Sequence, residues 1–183
     1  FRTLESGAVF FQSAISGGSA DYGEFLFSQT SGTALMTTAD TVPEASNVSF
    51  PNFRVGAAGN FLGFLARRNG ARLNILVHDI VEQTTRIVAT DDDDASSIGG
   101  GTYSITQTNS VFLNSQGTAI IPVTIRGGAS AGAAILAATS NGSLVKVVAN
   151  NDLDPSSGNS ILSPVLCAGL GRIQMNDEGK LAF

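Results

Sequence analysis

Short apolar runs recur along the whole chain, and each is flanked by glycine, asparagine, aspartate or serine. The runs are four to eight residues long and rich in valine, isoleucine, phenylalanine and threonine. Runs of this length and composition predict β-strands rather than helices. Between them, Asn69-Gly70 and Asn141-Gly142 predict hairpin turns, because glycine and asparagine tolerate the positive φ that two-residue turns require.

Four glycines mark the same point in a repeating pattern. Gly7, Gly59, Gly117 and Gly179 each precede an apolar run, and they lie 52, 58 and 62 residues apart. After each of the first three come two further strand-like runs, an acidic loop and a fourth strand. A unit that recurs in this fixed order predicts a tandem array of four-stranded antiparallel meanders.

The spacing also predicts the boundaries of the units. Repeat 1 covers residues 1–52, repeat 2 covers 53–110 and repeat 3 covers 111–172. Residues 173–183 match residues 1–11, and they are predicted to start a fourth repeat or to form an exchanged strand. Because the outer units of a repeat array leave apolar faces bare, we expect additional repeats or self-association.

The first strand of each unit indicates how the units are buried. The run Phe61-Leu-Gly-Phe-Leu65 is apolar at nearly every position instead of at alternate ones. A strand of that kind is buried on both faces of its sheet. We therefore predict an all-β fold of β-propeller-like blades, with stacked β-sheets or a β-sandwich as the alternative.

Composition and charge exclude some classes of function. Only 14% of the residues are charged, and the net charge is −5. A nucleic-acid partner is not expected, because binding phosphates requires a basic face. The longest apolar runs are far shorter than the ~20 residues that a membrane-spanning helix needs. The single Cys167 excludes a disulfide within the chain.

Two segments resemble repeats of a known kind. They are Asn176-Asp-Glu-Gly-Lys-Leu-Ala-Phe183 and Val147-Val-Ala-Asn-Asn-Asp-Leu-Asp-Pro155. Both resemble repeats in uncharacterised secreted bacterial proteins that look like β-propellers, although Leu4 and Gly56 stand where that pattern has asparagine. The resemblance implies a propeller-like form and an extracellular or cell-surface location. It implies no activity.

The acidic loops supply the candidate metal ligands. Asp92 and Asp94, and likewise Asp152 and Asp154, are carboxylates two residues apart that could bind Ca²⁺. Neither loop has the fixed glycine and distal glutamate of the Ca²⁺-binding loop. The alternative is a solvated turn whose aspartates accept hydrogen bonds from nearby backbone amides.

Candidate catalytic residues are few. His78 is the only histidine and Cys167 the only cysteine, so neither a catalytic triad nor a zinc site is indicated. We therefore expect no enzyme activity and no cofactor other than Ca²⁺.

The function expected from these features is a non-catalytic extracellular β-repeat module with a structural or binding role, within a larger repeat array or assembly. One alternative is a self-assembling extracellular filament or surface-layer subunit joined by β-strand exchange. Another is the non-catalytic part of a polysaccharide-active enzyme. A carbohydrate or protein ligand is possible in principle, but the absence of tryptophan weakens the carbohydrate alternative.

Overall fold

The structure is a computed structural model. It describes residues 2–3, 7–20, 22–28, 31–37, 48–49, 56–68, 72–106, 111–161 and 173–182. Three predicted features lie outside these residues: the acidic loop at 39–43, the turn at 69–70 and Cys167. In the described residues the regular structure is all strand apart from one 3₁₀ turn, η1 (Ser96–Ile98). The predicted all-β class is confirmed.

The first sheet, sheet 1, is an antiparallel meander in chain order. Its strands are β1 (Arg2–Thr3), β2 (Val9–Ala14), β3 (Tyr22–Ser28) and β4 (Ser31–Thr37).

Sheet 2 has a divided edge strand. Both parts of that edge, β5 (Val48–Ser49) and β6 (Gly56–Ala58), pair with β7 (Phe61–Arg68). The meander continues through β8 (Arg72–Asp79) and β9 (Thr84–Thr90).

Sheet 3 repeats this arrangement. Its divided edge, β10 (Thr102–Ser104) and β11 (Phe112–Leu113), pairs with β12 (Ala119–Arg126). The meander continues through β13 (Gly132–Ala138) and β14 (Leu144–Ala149). A two-stranded ribbon, β15 (Gln174–Met175) and β16 (Leu181–Ala182), follows it. The Asn141-Gly142 turn joins β13 to β14, as predicted, and Gly142 has a φ of 87°.

Strands are shared between the predicted repeats. β5 lies in predicted repeat 1 and β10 in predicted repeat 2, yet each pairs with the first long strand of the following repeat. The sheets are open, and within the described ranges they form neither a closed barrel nor a closed propeller.

Each of the three sheets has a β-bulge between its second and third long strands, and this bulge identifies the equivalent residues of the sheets. The register between the second and third long strands shifts at Glu24/Phe25, at Ile75/Leu76 and at Ile135/Leu136. A β-bulge places an extra residue on one strand, so a bulge in the same position fixes which residues are equivalent. Ile75 is therefore the counterpart of Ile135 and of Glu24.

This register corrects the glycine alignment in repeat 2. Ile75 pairs with Leu65, whereas Ile135 pairs with Pro122. Counting back from that pair, the counterpart of Gly117 is Asn60, and the prediction that it is Gly59 is wrong by one residue. The physical reason is the turn: Ala58 pairs directly with Phe61 across two residues, whereas a longer turn joins β11 to β12.

The sheets stack in chain order, and each contacts the next through apolar side chains. Ala8 and Phe10 of sheet 1 pack with Leu62 of sheet 2. The largest core lies between sheets 2 and 3, where Leu65 and Ile75 meet residues of β12 and β13. The face of a sheet toward the preceding sheet is its backward face, and the opposite one is its forward face. Sheet 2 is covered on both faces, by sheet 1 and by sheet 3. Sheet 3 has its backward face on sheet 2, and the ribbon covers part of its forward face.

Apolar residues of a single strand, β7, are buried on opposite faces of sheet 2. Leu62, on the backward face of sheet 2, has no exposed surface, and Leu65, on its forward face, is 2% exposed. Burial of both faces explains why β7 is apolar at consecutive positions, as the sequence predicts.

The core between sheets 2 and 3 gives the first testable prediction. Leu136 has no exposed surface and lies in that core, so Leu136→Ala leaves a cavity that neighbouring strands cannot fill. We expect the free energy of unfolding to fall by about 2–5 kcal/mol in urea denaturation. Val81→Ala, at a side chain that is 64% exposed, is the control. Equal, small effects of the two substitutions would contradict the stacked core.

Candidate functional site: the acidic loops and the groove between them

The acidic loops after β9 and β14 have the same backbone structure. The N–H of Asp93 donates to the carbonyl of Thr90, and that of Asp152 donates to the carbonyl of Ala149, both at 3.2 Å. Asp92 and Asn151 both have positive φ, at 65° and 71°. Asp92 is therefore the counterpart of Asn151, and the two predicted carboxylate pairs are offset by one residue.

In the first loop, the acidic side chains bond to backbone amides and to arginines. Asp94 Oδ1 accepts the N–H of Ser96 at 2.9 Å, and Asp91 Oδ1 accepts the N–H of Ile105 at 2.9 Å. Arg126 of β12 donates to Asp92, and its second terminal nitrogen donates to Ser104 Oγ at 2.8 Å. These contacts bond the loop of sheet 2 to the first long strand of sheet 3.

In the second loop, Asp152 bonds to the strand that precedes it. Its carboxylate accepts hydrogen bonds from Lys146 Nζ and from the N–H of Ala149, each at 2.8 Å. Burial raises the pKa of Asp152, but these hydrogen bonds and the Lys146 charge outweigh burial and hold the pKa below its usual value.

Asp154 stabilises the turn that follows. Its carboxylate accepts the hydroxyl of Ser157 at 2.6 Å and the N–H of Ser156 at 2.9 Å. These bonds, led by that of Ser157, lower the pKa of the Asp154 carboxyl. The contacts match the alternative expectation of aspartates that accept bonds from nearby donors.

Calcium binding by Asp92, Asp94, Asp152 and Asp154 stays a prediction. No three histidine, cysteine, aspartate or glutamate side chains group to hold a metal ion in the part of the chain that the structure describes. Each of the four carboxylates accepts at least one hydrogen bond from the protein. A bound Ca²⁺ would share these oxygens with, or take them from, their present donors.

An open groove of about 420 Å³ lies between η1 and β14. Ser97 and Gly99 line one side of it, and Lys146, Asn151 and Asp152 line the other. An ammonium, an amide and a carboxylate offer both donors and acceptors to a polar ligand. This groove was not predicted from the sequence. The only signal for it was Lys146, the one charged residue in a strand of valine, leucine and alanine.

The glycine turns at the opposite ends of the strands are also linked. Asn114 Oδ1 accepts the N–H of Thr118 at 2.9 Å, and Asn176 Oδ1 accepts the N–H of Lys180 at 2.8 Å. The two turns are joined because the N–H of Ser115 donates to Asp177 Oδ1 at 3.0 Å. Hydrogen bonding to Ser115 lowers the pKa of Asp177.

Arg86 makes the main polar contact between sheets 2 and 3 at this end. Its two terminal nitrogens donate to the carbonyl oxygens of Thr139 and Gly117, each at 2.6 Å. Burial lowers the pKa of the guanidinium. The role of Arg86 was not predicted from the sequence, because a single arginine in a strand forms no pattern.

His78 is buried between sheets 1 and 2. It is 3% exposed, and its Nδ1 lies 2.9 Å from Thr85 Oγ1. Within the described residues Nε2 has no hydrogen-bond partner. Burial lowers the pKa of His78, and the nearby Asp79 charge opposes this only in part.

No family model, curated protein or solved structure matches the chain. Among the described residues, no helix is long and apolar enough to cross a membrane.

The contacts of Arg86 give a second prediction. Arg86→Met keeps much of the side-chain volume but removes the Arg86 donor from two carbonyl oxygens between the sheets, and of these the Thr139 oxygen keeps the N–H of Gly142. We expect a loss of about 1–3 kcal/mol in the free energy of unfolding, measured by chemical denaturation. The matched control is Arg72→Met, which removes an exposed ion pair between Arg72 and Asp93. The side chain of Arg72 is 49% exposed and that of Asp93 is 51% exposed. That pair contributes about 0–1 kcal/mol. A larger effect at Arg72 than at Arg86 would contradict the account.

The burial of His78 gives a third prediction. The folded state favours neutral His78, so below the ordinary pKa of 6.5 the unfolded chain binds more protons than the folded one. Stability is therefore complete above that pH and decreases as the pH falls through it. We expect the Tm to decrease from pH ~7.5 to pH ~5.5, before ordinary carboxyls titrate. His78→Leu should remove most of this decrease, since the chain has no other histidine. An unchanged pH dependence in that variant would refute the assignment.

Proposed function

We propose that the chain is a non-catalytic extracellular β-repeat module with a structural role, acting within a larger repeat array or assembly. The observation that carries the proposal is the burial of sheet 2 on both faces, against sheet 1 and against sheet 3. A sheet of this kind is a building element, because it is complete only when neighbours cover it.

The propeller-like arrangement belongs to this proposal. The bulges at equivalent positions support this arrangement. Because all three sheets have the same register, the forward face of one sheet can pack on the backward face of the next in the same orientation each time. Successive four-stranded meanders that stack in this way are typical of propeller blades. An open stack of sheets with the same contacts is the alternative arrangement.

The use of polar side chains also supports a structural role. Arg86 and Arg126 each connect sheet 2 to sheet 3, and Asp177 connects the ribbon to sheet 3. Asp152 and Asp154 accept hydrogen bonds within their own loop. The extracellular location rests on the resemblance of the repeat motifs and on the low content of charged residues.

A second candidate function is binding of a polar ligand in the groove. It is favoured by the convergence of Lys146, Asn151 and Asp152 on an open volume of about 420 Å³. A hydroxyl-rich ligand such as a carbohydrate suits these donors and acceptors.

Complementation in the producing organism tests the structural role. A deletion strain would receive the wild-type gene, Leu136→Ala, or Lys146→Met in the groove, with the protein followed by cell fractionation. We expect the protein outside the cell, loss of function with Leu136→Ala, and full function with Lys146→Met. The reason is that a structural role depends on folding and packing rather than on one groove side chain.

Two outcomes would contradict the proposal. One is confinement of the wild-type protein to the cytosol. The other is a folded Lys146→Met protein, with the wild-type Tm, that fails to complement; this result would favour ligand binding in the groove instead.

A further inference from the structure

We propose that the junction between sheets 1 and 2 is a pH-sensitive device. As the pH falls from ~7.5 to ~5.5, sheet 1 is released from the backward face of sheet 2, while sheets 2 and 3 stay packed together. The inference goes beyond the proposed structural role, because it gives one junction of the stack a stability that acid controls.

The backward face of sheet 2 has three buried polar residues at positions where sheet 3 has alanine. The polar residues are Asn74, His78 and Thr90. Their counterparts by the bulge register, in the core between sheets 2 and 3, are Ala134, Ala138 and Ala149. The two junctions therefore have equivalent positions but differ in polarity there.

His78 differs from the other two polar residues in its hydrogen bonds. Thr90 Oγ1 donates to Asn74 Oδ1 at 2.9 Å, so these two side chains satisfy each other. His78 Nδ1 pairs with Thr85, but Nε2 has no partner within the described residues. A protonated ring has a donor on both nitrogens, so protonation adds a charge to a buried side chain that already has one unpaired nitrogen.

His78 lies where sheet 1 covers sheet 2. It pairs with Leu62 of β7, and Leu62 packs with Ala8 and Phe10 of sheet 1. Leu26 of sheet 1 packs against the same cluster. Because a charged group in an apolar setting gains hydration when the covering layer moves away, protonation of His78 favours the release of sheet 1.

Two carboxylates of sheet 2 lie near His78 along the chain, in the turn between β8 and β9. Asp79, the next residue, favours the charged ring, but burial of His78 outweighs it and holds the pKa of the ring below its ordinary value. The Asp79 carboxylate accepts the N–H groups of Val81 and Glu82 in this turn, and Glu82 itself is exposed. Sheet 2 thus does not compensate the charge on the ring.

Three titratable residues of sheet 1 have positions on the face toward sheet 2. They are Arg2, Tyr22 and Glu24, which pair with Phe10, Ala14 and Gln12. Arginine and tyrosine keep their charge state between pH ~5.5 and pH ~7.5. Glu24 is therefore the residue of this face whose contribution requires a variant of its own.

The junction between sheets 2 and 3 is held by contacts that do not titrate in this pH range. Its core consists of apolar side chains of both sheets. Arg86 and Arg126 also connect the two sheets, and arginine stays charged throughout. This junction therefore persists when His78 is protonated.

The test is native-state hydrogen exchange on the intact protein at pH ~7.5 and pH ~5.5, with each rate corrected for the intrinsic exchange rate at that pH. Amides of β2 report on sheet 1, and amides of β13 report on sheets 2 and 3. We expect β2 to open with a smaller free energy and a smaller denaturant dependence than β13, because only sheet 1 is released. The opening equilibrium constant of β2 should rise about tenfold at the lower pH, since the ring gains its proton only in the open state.

Variants separate the contribution of His78 from that of other groups. His78→Gln keeps a polar side chain that does not titrate, and His78→Ala introduces the residue that sheet 3 has at this position. The tenfold rise should disappear in both variants and remain in Glu24→Gln. Global unfolding also exposes His78, so the denaturant dependence distinguishes the release of sheet 1 from unfolding of the whole chain.

Three results would overturn the inference. One is a β2 that opens with the free energy and denaturant dependence of β13 at both pH values. The others are a rise that persists in the two His78 variants and a rise that disappears in Glu24→Gln. Each of them leaves the proposed structural role standing, because complementation of the deletion strain measures that role separately.

Discussion

The structure depends on the burial of sheet 2 on both faces. Successive side chains of a strand point to opposite sides, so a strand that is apolar at consecutive positions is stable only between two other layers. Leu62 meets sheet 1 and Leu65 meets sheet 3, and neither sheet could be removed without exposing one of them. The remaining features of the fold either provide these layers or hold them in register.

Polar contacts at the two ends of the strands hold sheets 2 and 3 in position relative to each other. At one end Arg126 bonds to the acidic loop of sheet 2, and at the other end Arg86 bonds to two turns of sheet 3. Each guanidinium satisfies groups that the stacking would otherwise bury or leave loosely held. The aspartates in the acidic loops act in the same way, since they fix the backbone where the chain leaves one sheet for the next.

Much of the fold could be predicted from the sequence, because buried strands are recognisable by their own apolar residues. Strand type and the antiparallel hairpins followed from short apolar runs and from turn residues such as Asn141-Gly142. The alignment at Gly59 was wrong, since a sequence match has no information on whether a hairpin closes over two residues or more. Bulges supply that information, and they leave no clear sequence signal.

The candidate site was less predictable. The acidic loops were visible as charge, and the donors to Asp152 and Asp154 are near them in sequence, but the pattern did not show which donor each carboxylate binds. Arg86 and His78 were not distinguishable from other polar residues, because their burial arises from sheets that are distant in sequence. Lys146 gave the clearest missed signal, as a single charge in an apolar strand that faces a groove.

The most direct test of the account is native-state hydrogen exchange, followed by mass spectrometry, on the wild-type protein. If sheets 2 and 3 form one unit through their shared core, amides of β8 and β13 should open with the same free energy and the same denaturant dependence. Different opening free energies for the two strands, with sheet 2 remaining protected after sheet 3 has exchanged, would contradict it.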